Sequence, residues 1–251
     1  MKTQIETAVI LLAGRGSRLE ELTDNKPKCL VKVNKTPILH RILDELAHLE
    51  IKKIILVVGY LHKQIINYVG NEWKNIKIQY VINKNWFRTN NVVSLYMALD
   101  KIKSNFLLLE GDIIVSERAL KNFSKTNLLA LDRYRNYMDG TVVKLNKNNS
   151  VEKFYLKNSP DRPKNLESYY KTVNIYSFAK KDFFEYIKPR LEKIINSKQT
   201  NSYYELAIAR AIDADEITLK SVNFKHLKWA EIDDQKDLQY AEKLFDDKLD
   251  I

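Results

Sequence analysis

The chain has 251 residues, 45% of them hydrophobic, which is enough to bury a substantial core in one α/β domain and excludes a disordered chain. Its 42 basic and 32 acidic residues give a net charge of +10 with no run of five or more Lys/Arg, so a polyanionic small molecule is a better expected partner than nucleic acid. Cys29 is the only cysteine, which excludes an intramolecular disulfide, and without a membrane-length apolar run or a signal-peptide pattern the expected setting is cytoplasmic.

In chain order, residues 7–13 form a short apolar run closed by Gly14, the pattern of a buried strand. Residues 37–50 place Ile38, Leu39, Ile42, Leu43, Leu46 and Leu49 at helical spacing. A buried strand is expected at 53–58, a helix at 62–69 and a strand at 76–82. Residues 92–102 read as helix, 106–110 as strand, 116–123 as helix with Ser116 as N-cap, and 127–131 as strand. This alternation predicts a mixed, mostly parallel sheet with helices on both faces. After Leu131 the pattern changes to strands at 140–145, 151–156 and 169–178, around a polar loop at 157–167. Helices return at 180–195 and 203–211, and a strand at 227–232 precedes a closing helix at 235–245. A single domain over 1–251 is expected, with an α/β half over 1–131 and a β-rich half over 132–251.

The first strand runs into Leu12-Ala13-Gly14-Arg15-Gly16-Ser17-Arg18-Leu19. Glycines at 14 and 16 allow a tight turn whose backbone N–H groups approach an anion, and Arg18 adds a planar charged fork. A lone G-x-G also fits a dinucleotide fold or a plain turn. Leu19 stands where a dinucleotide fingerprint has its third glycine, and no G-K-S/T follows, which removes a Walker-type loop. Cys29 reads as a small buried apolar residue more readily than as a reactive thiol.

The continuation places Pro27-Lys28 shortly after the loop. Together the two segments resemble the L-A-A-G-x-G-x-R-L and P-K signature of the sugar-phosphate and amino-alcohol-phosphate nucleotidyltransferases. Leu12 departs from the usual first alanine. The resemblance implies a Rossmann-like nucleotidyltransferase fold in which residues 12–18 wrap a triphosphate, with Arg18 on its β- and γ-phosphates and Lys28 at the reacting α-phosphate.

Phosphoryl-transfer chemistry needs a hard cation on oxygen ligands. Asp112 follows Gly111 at the carboxyl edge of the strand at 106–110, where it either caps a turn or binds such a cation. The strand-G-D pattern resembles the family's magnesium-binding aspartate. Alternation puts Glu231 and Asp233 on one face of a strand with Trp229. The segment W-x-E-I-D resembles the family's close, which implies Asp233 as the second Mg²⁺ ligand with Glu231 helping. Asp234 reads as the N-cap of the last helix.

Asn90-Asn91-Val92-Val93-Ser94-Leu95 resembles a segment of the bacterial CTP:phosphocholine and aminoethylphosphonate cytidylyltransferases. It implies nucleotide contacts from Asn90, Asn91 and Ser94, and Asn90 or Asn91 also suits a helix N-cap. Tyrosines concentrate in the second half, and their rings can surround an ammonium. Tyr134, Asp139, Tyr170, Lys171, Asn174, Glu205 and Trp229 are the candidate acceptor contacts. The implied reaction moves CMP from CTP onto a small phosphorylated or phosphonylated acceptor, with a sugar-1-phosphate nucleotidyltransferase or a non-catalytic nucleotide-binding module as rivals. A homodimer is compatible with the sequence.

Overall fold

A computed structural model describes residues 4–246. Strand β1 (Thr7–Leu12) leads through a short hairpin, β2 (Lys32–Val33) and β3 (Thr36–Pro37), to helix α1 (Ile38–Ala47). Next come β4 (Lys53–Val58), α2 (His62–Val69), β5 (Glu72–Trp73), β6 (Ile76–Ile82), α3 (Asn91–Ala98) and β7 (Phe106–Glu110). A β-rich stretch follows: β8 (Ile113–Val115), β9 (Leu128–Arg133), β10 (Val142–Leu145), β11 (Val151–Tyr155) and β12 (Tyr170–Phe178). The chain continues through α4 (Lys180–Asp182), α5 (Lys188–Asn196), α6 (Glu205–Asp213), β13 (Lys220–Asn223), β14 (Trp229–Glu231) and α7 (Gln235–Leu244).

The main sheet runs β11-β10-β12-β7-β1-β4-β6-β5, with β9 on the other side of β12 and β13 beside β9. Its centre, β7-β1-β4-β6, is parallel. Alternate residues of β1 enter opposite cores: Ala8, Ile10 and Leu12 pack on one face, and Val9 and Leu11 on the other. Two covered faces explain why these strands are unbroken apolar runs. β12 joins β7 antiparallel, so the β-rich half extends the same sheet.

Two expectations need correction. Residues 116–123 are not a helix capped by Ser116. Only a 3₁₀ turn, Ala119–Asn122, forms, because Arg118 takes φ 64° with its amide held by Glu45 Oε1 at 3.0 Å. The helix expected at 180–195 contains a π-helical turn, Phe183–Ile187, immediately before α5. Pro189, lacking an N–H, cannot continue a regular ladder there. The strand expected at 169–178 forms as β12, with one irregularity. Its register against β9 shifts between Thr172 and Tyr176, where Asn174 adopts φ 58°.

Candidate active site

The parallel strands end together, since Leu11 of β1 pairs with Glu110 of β7 and Leu12 with Val58 of β4. The cleft beyond their carboxyl ends, of about 370 Å³, is bordered by Leu12, Ala13, Gly14, Gly16, Arg18, Lys28 and Gly111. Ligands of open α/β sheets bind at such an edge. The two loop glycines differ in what they contribute. A Cβ on Gly14 would meet open space, whereas one on Gly16 (φ 71°) would lie 2.6 Å from Lys28 Cδ. Gly16 therefore makes room for the Lys28 side chain. Gly111 is equally constrained, since its Cβ would fall 2.0 Å from Leu12 Cδ2.

Asp112 and Asp233, far apart in sequence, meet because β8 pairs with β14 antiparallel, Ile113 opposite Glu231, and Ile232 donates its amide to the Asp112 carbonyl at 3.0 Å. Asp234 then starts α7 with a capping box shared with Asp237, as its sequence position predicts. Lys28 Nζ sits between the two carboxylates, 2.7 Å from Asp112 Oδ2 and 2.8 Å from Asp233 Oδ1. Arg18 Nη2 reaches the same Asp233 oxygen at 2.9 Å. Burial alone would lower the Lys28 pKa, but Asp112 and then Asp233 outweigh it and hold the ammonium well above its ordinary value. Burial would likewise raise Asp233, yet Lys28 and then Arg18 keep it below the usual carboxylate range. Cys29 is buried, and desolvation pushes its thiol up to about 12, so it behaves as an apolar residue.

The donor set suits a hard cation. Asp112 Oδ1 is buried and has no hydrogen-bond partner, which leaves it available to an added cation. No group of three or more His, Cys, Asp or Glu converges with ligand geometry among the described residues. Asp112 and Asp233 would hold Mg²⁺ together with oxygens of a bound phosphate and water, the usual pattern for this ion. Glu231 is otherwise engaged: Oε1 accepts from Asn174 Nδ2 and Oε2 faces Lys171 Nζ, both at 3.0 Å.

On the helical side, the Asn90 side chain accepts the Asn91 amide at 2.7 Å and caps α3 while bordering the cleft. Asn91 donates to Glu110 Oε1 and accepts the Tyr204 amide, both at 2.9 Å, so it fixes the start of α6 against β7. Ser94 borders the cleft and receives Asn83 Nδ2 at 3.2 Å. Arg15 and Ser17 do not border it. Arg15 is exposed, bonded to Asp24 at 2.6 Å and set over the Tyr60 ring, and Ser17 is exposed at the start of a 3₁₀ segment.

Of the expected acceptor contacts, Asp139, Asn174 and Glu205 border the cleft. Lys171, only 1% exposed, lies behind it against Glu231. Among the described residues, Tyr134 and Tyr170 do not line the cleft, whereas Tyr203 does and Tyr137 and Tyr240 border the cavity beside it. Tyr170 packs into the core beneath Arg133, and Tyr134 borders neither this cleft nor the larger cavity beside it. That second cavity, of about 840 Å³, shares Arg18, Asp139, Glu231 and Asp233 with the first. Trp229 borders it, but its indole N–H is engaged by Asp132 Oδ2 at 2.9 Å. Glu110, Asn83 and Lys157, which are not among the residues expected from the sequence, also border the cleft. Glu110 was legible as a lone charge ending an apolar strand, and Asn83 as a polar residue just past a strand's carboxyl end. Desolvation, then the charge of Asp112, raises Glu110 well above its ordinary value.

The nucleotidyl transferase family model matches residues 7–246. The chain belongs to this family. Across 245 residues it is 29% identical to the CMP-5'-(3-aminopropyl)phosphonate synthase of Streptomyces rubellomurinus, an alignment that covers 95% of the chain and 38% of that protein. It is 34% identical over 187 residues to the bifunctional protein GlmU of Methanococcus aeolicus, covering 72% of the chain and 43% of GlmU. The chain thus spans less than half the length of the curated relatives it matches. The fold is that of the CTP:phosphocholine cytidylyltransferase of Streptococcus pneumoniae, with a TM-score of 0.79 at 21% identity over 96% of this chain and 100% of that one. The inositol-1-phosphate CTP transferase of T. maritima aligns with a TM-score of 0.73 at 20% identity over 98% and 99% of the two chains.

Proposed function

We propose that this family member transfers CMP from CTP onto a small phosphorylated or phosphonylated acceptor of the phosphocholine or aminoalkylphosphonate type, releasing pyrophosphate, with Mg²⁺ as its cation. The observation that carries the chemistry is the Lys28 ammonium held between Asp112 and Asp233 beside the loop of residues 14–18. The choice of CTP and of an amine-bearing acceptor is supported by the Streptomyces relative, whose alignment spans nearly the whole chain. In this scheme residues 1–131 supply the nucleotide side and 132–251 most of the acceptor side.

An anionic oxygen of the acceptor attacks the α-phosphorus. The bond from that phosphorus to the oxygen bridging the β-phosphate breaks, and its electron pair leaves with pyrophosphate. The attacking oxygen already carries charge, so no protein base is required. Catalysis rests on positioning and on charge stabilisation. Arg18, at the open rim, suits the β- and γ-phosphates, and Lys28 suits the α-phosphate once its ammonium turns from the carboxylates to the substrate. Bound Mg²⁺ would supply Lewis acidity at the phosphate oxygens.

The test is pyrophosphate release with each of the four nucleoside triphosphates against a panel of acceptors, with and without a chelator. CTP with an aminoalkylphosphonate or phosphocholine is the expected best pair, and activity should vanish with the chelator. The similarity to Methanococcus GlmU supports a second reading, a sugar-1-phosphate nucleotidyltransferase. A clear preference for UTP with a hexose 1-phosphate would establish that reading instead.

A further inference from the structure

Three glutamates converge on the inner part of the cleft, and their surroundings differ. Glu231 is satisfied at both oxygens by Asn174 and Lys171, and Glu110 accepts from Asn91. Glu205 is not satisfied. It is only 5% exposed and borders the cleft; Oε1 takes the Thr141 hydroxyl at a long 3.4 Å, and Oε2 has no hydrogen-bond partner. A buried carboxylate oxygen left in this way awaits a donor. Lys171 does not supply it, because its ammonium is directed at the Thr172 carbonyl at 2.6 Å and at Glu231.

The missing donor has a recognisable chemistry. Burial raises the Glu205 carboxyl to about 6, and the charge of Glu231 adds to it. A cation entering here relieves both effects, and one carrying N–H groups also satisfies Oε2. A quaternary ammonium has no N–H to give and is held by aromatic faces instead. The only rings bordering the cleft, among the described residues, are those of Trp86 and Tyr203. Resting on the nucleotidyltransferase reading, we infer that Glu205 is the specificity residue that receives the primary ammonium of the acceptor. The acceptor is then an ω-amino phosphonate or phosphate, and a choline-type cation is disfavoured.

The experiment compares 3-aminopropylphosphonate, its N-trimethyl analogue and propylphosphonate in wild-type protein, Glu205→Gln and Glu205→Asp. Transfer from CTP is measured as kcat/KM, and phosphonate binding by calorimetry. Wild-type protein should prefer the primary amine over propylphosphonate by roughly 30-fold or more, the scale for losing one partner of a buried, hydrogen-bonded charge pair. The ratio should collapse towards unity in Glu205→Gln and be partly retained in Glu205→Asp, which keeps the charge. Equal handling of the amine and propylphosphonate by wild-type protein would overturn the inference. So would a preference for the trimethyl analogue, or an unchanged ratio in Glu205→Gln. If no pair of substrates releases pyrophosphate, the catalytic reading fails by itself and calorimetry still decides the subsite. Amine-selective binding lost in Glu205→Gln supports it, and unselective or absent binding overturns it.

Discussion

Replacing Lys28 with alanine would leave Asp112 and Asp233 facing each other without the ammonium that joins them at 2.7 and 2.8 Å. Breaking a fully buried pair costs about 3–5 kcal/mol, and an exposed one under about 1. The Lys28 side chain is 13% exposed and the carboxylates 20% and 27%, and Arg18 remains on Asp233, so the site lies between these limits. About 2 kcal/mol is a reasonable figure, which for a chain of this size lowers Tm by roughly 4–8 °C. The same substitution exposes two carboxylates to a divalent cation with no competing ammonium. Mg²⁺ at about 100 times its Kd would then return roughly 2.7 kcal/mol, enough to recover the loss. Wild-type protein without nucleotide should respond weakly, because the ammonium holds the position. Differential scanning calorimetry of both proteins, with and without Mg²⁺, separates these outcomes. Turnover should fall far more than CTP affinity, since the Lys28 charge matters most as the α-phosphate becomes crowded. An unchanged Tm in Lys28→Ala, or equal Mg²⁺ responses in the two proteins, would refute the reasoning.

Sequence and structure agree best where one interaction dominates. The strands at 53–58, 76–82 and 106–110 and the helix at 62–69 have the expected bounds, because each is a run or stripe of apolar residues set against the core. The reading fails where long-range contacts decide. Arg118 looks helical in isolation, but Glu45, 73 residues away, fixes its amide in a left-handed turn. The pairing of β8 with β14, which unites Asp112 with Asp233, leaves little local trace because both strands are only three residues long. At the site, residue types and order were legible but side-chain commitments were not. The pattern around Glu231 suggests a cation-binding role, but it does not show that Lys171 and Asn174 face its oxygens. Trp229 borders the second cavity as an acceptor contact would, but its sequence position does not show that Asp132 holds its indole N–H. Each of these pairings joins residues more than 50 positions apart, so no local pattern could have shown them.

Asp112→Asn and Asp233→Asn should each lower turnover by at least about 10²-fold, as expected for removing a group that holds transition-state charge; near-normal rates in both would dismiss them as cation ligands. Trp229→Phe should cost roughly 1–2 kcal/mol in urea denaturation by removing the donor to buried Asp132, yet leave the acceptor KM within about threefold. A large rise in acceptor KM would instead place Trp229 among the acceptor contacts. The pH dependence of stability tests Glu205 independently of any substrate. Its pKa is raised from 4.5 to about 6 in the folded chain, chiefly by burial. Between those values the folded state holds more protons at this site than the unfolded one, so stability falls as pH rises through the window. The full effect, a shift of about 1.5 units, corresponds to roughly 2 kcal/mol and is reached above about pH 6. Glu205→Gln cannot titrate there. Its stability relative to wild type should therefore climb by up to about 2 kcal/mol between roughly pH 4 and pH 7 in parallel urea titrations. Superimposable pH profiles would mean that Glu205 is already paired in the folded protein, and the missing donor at Oε2 would no longer need a ligand to supply it.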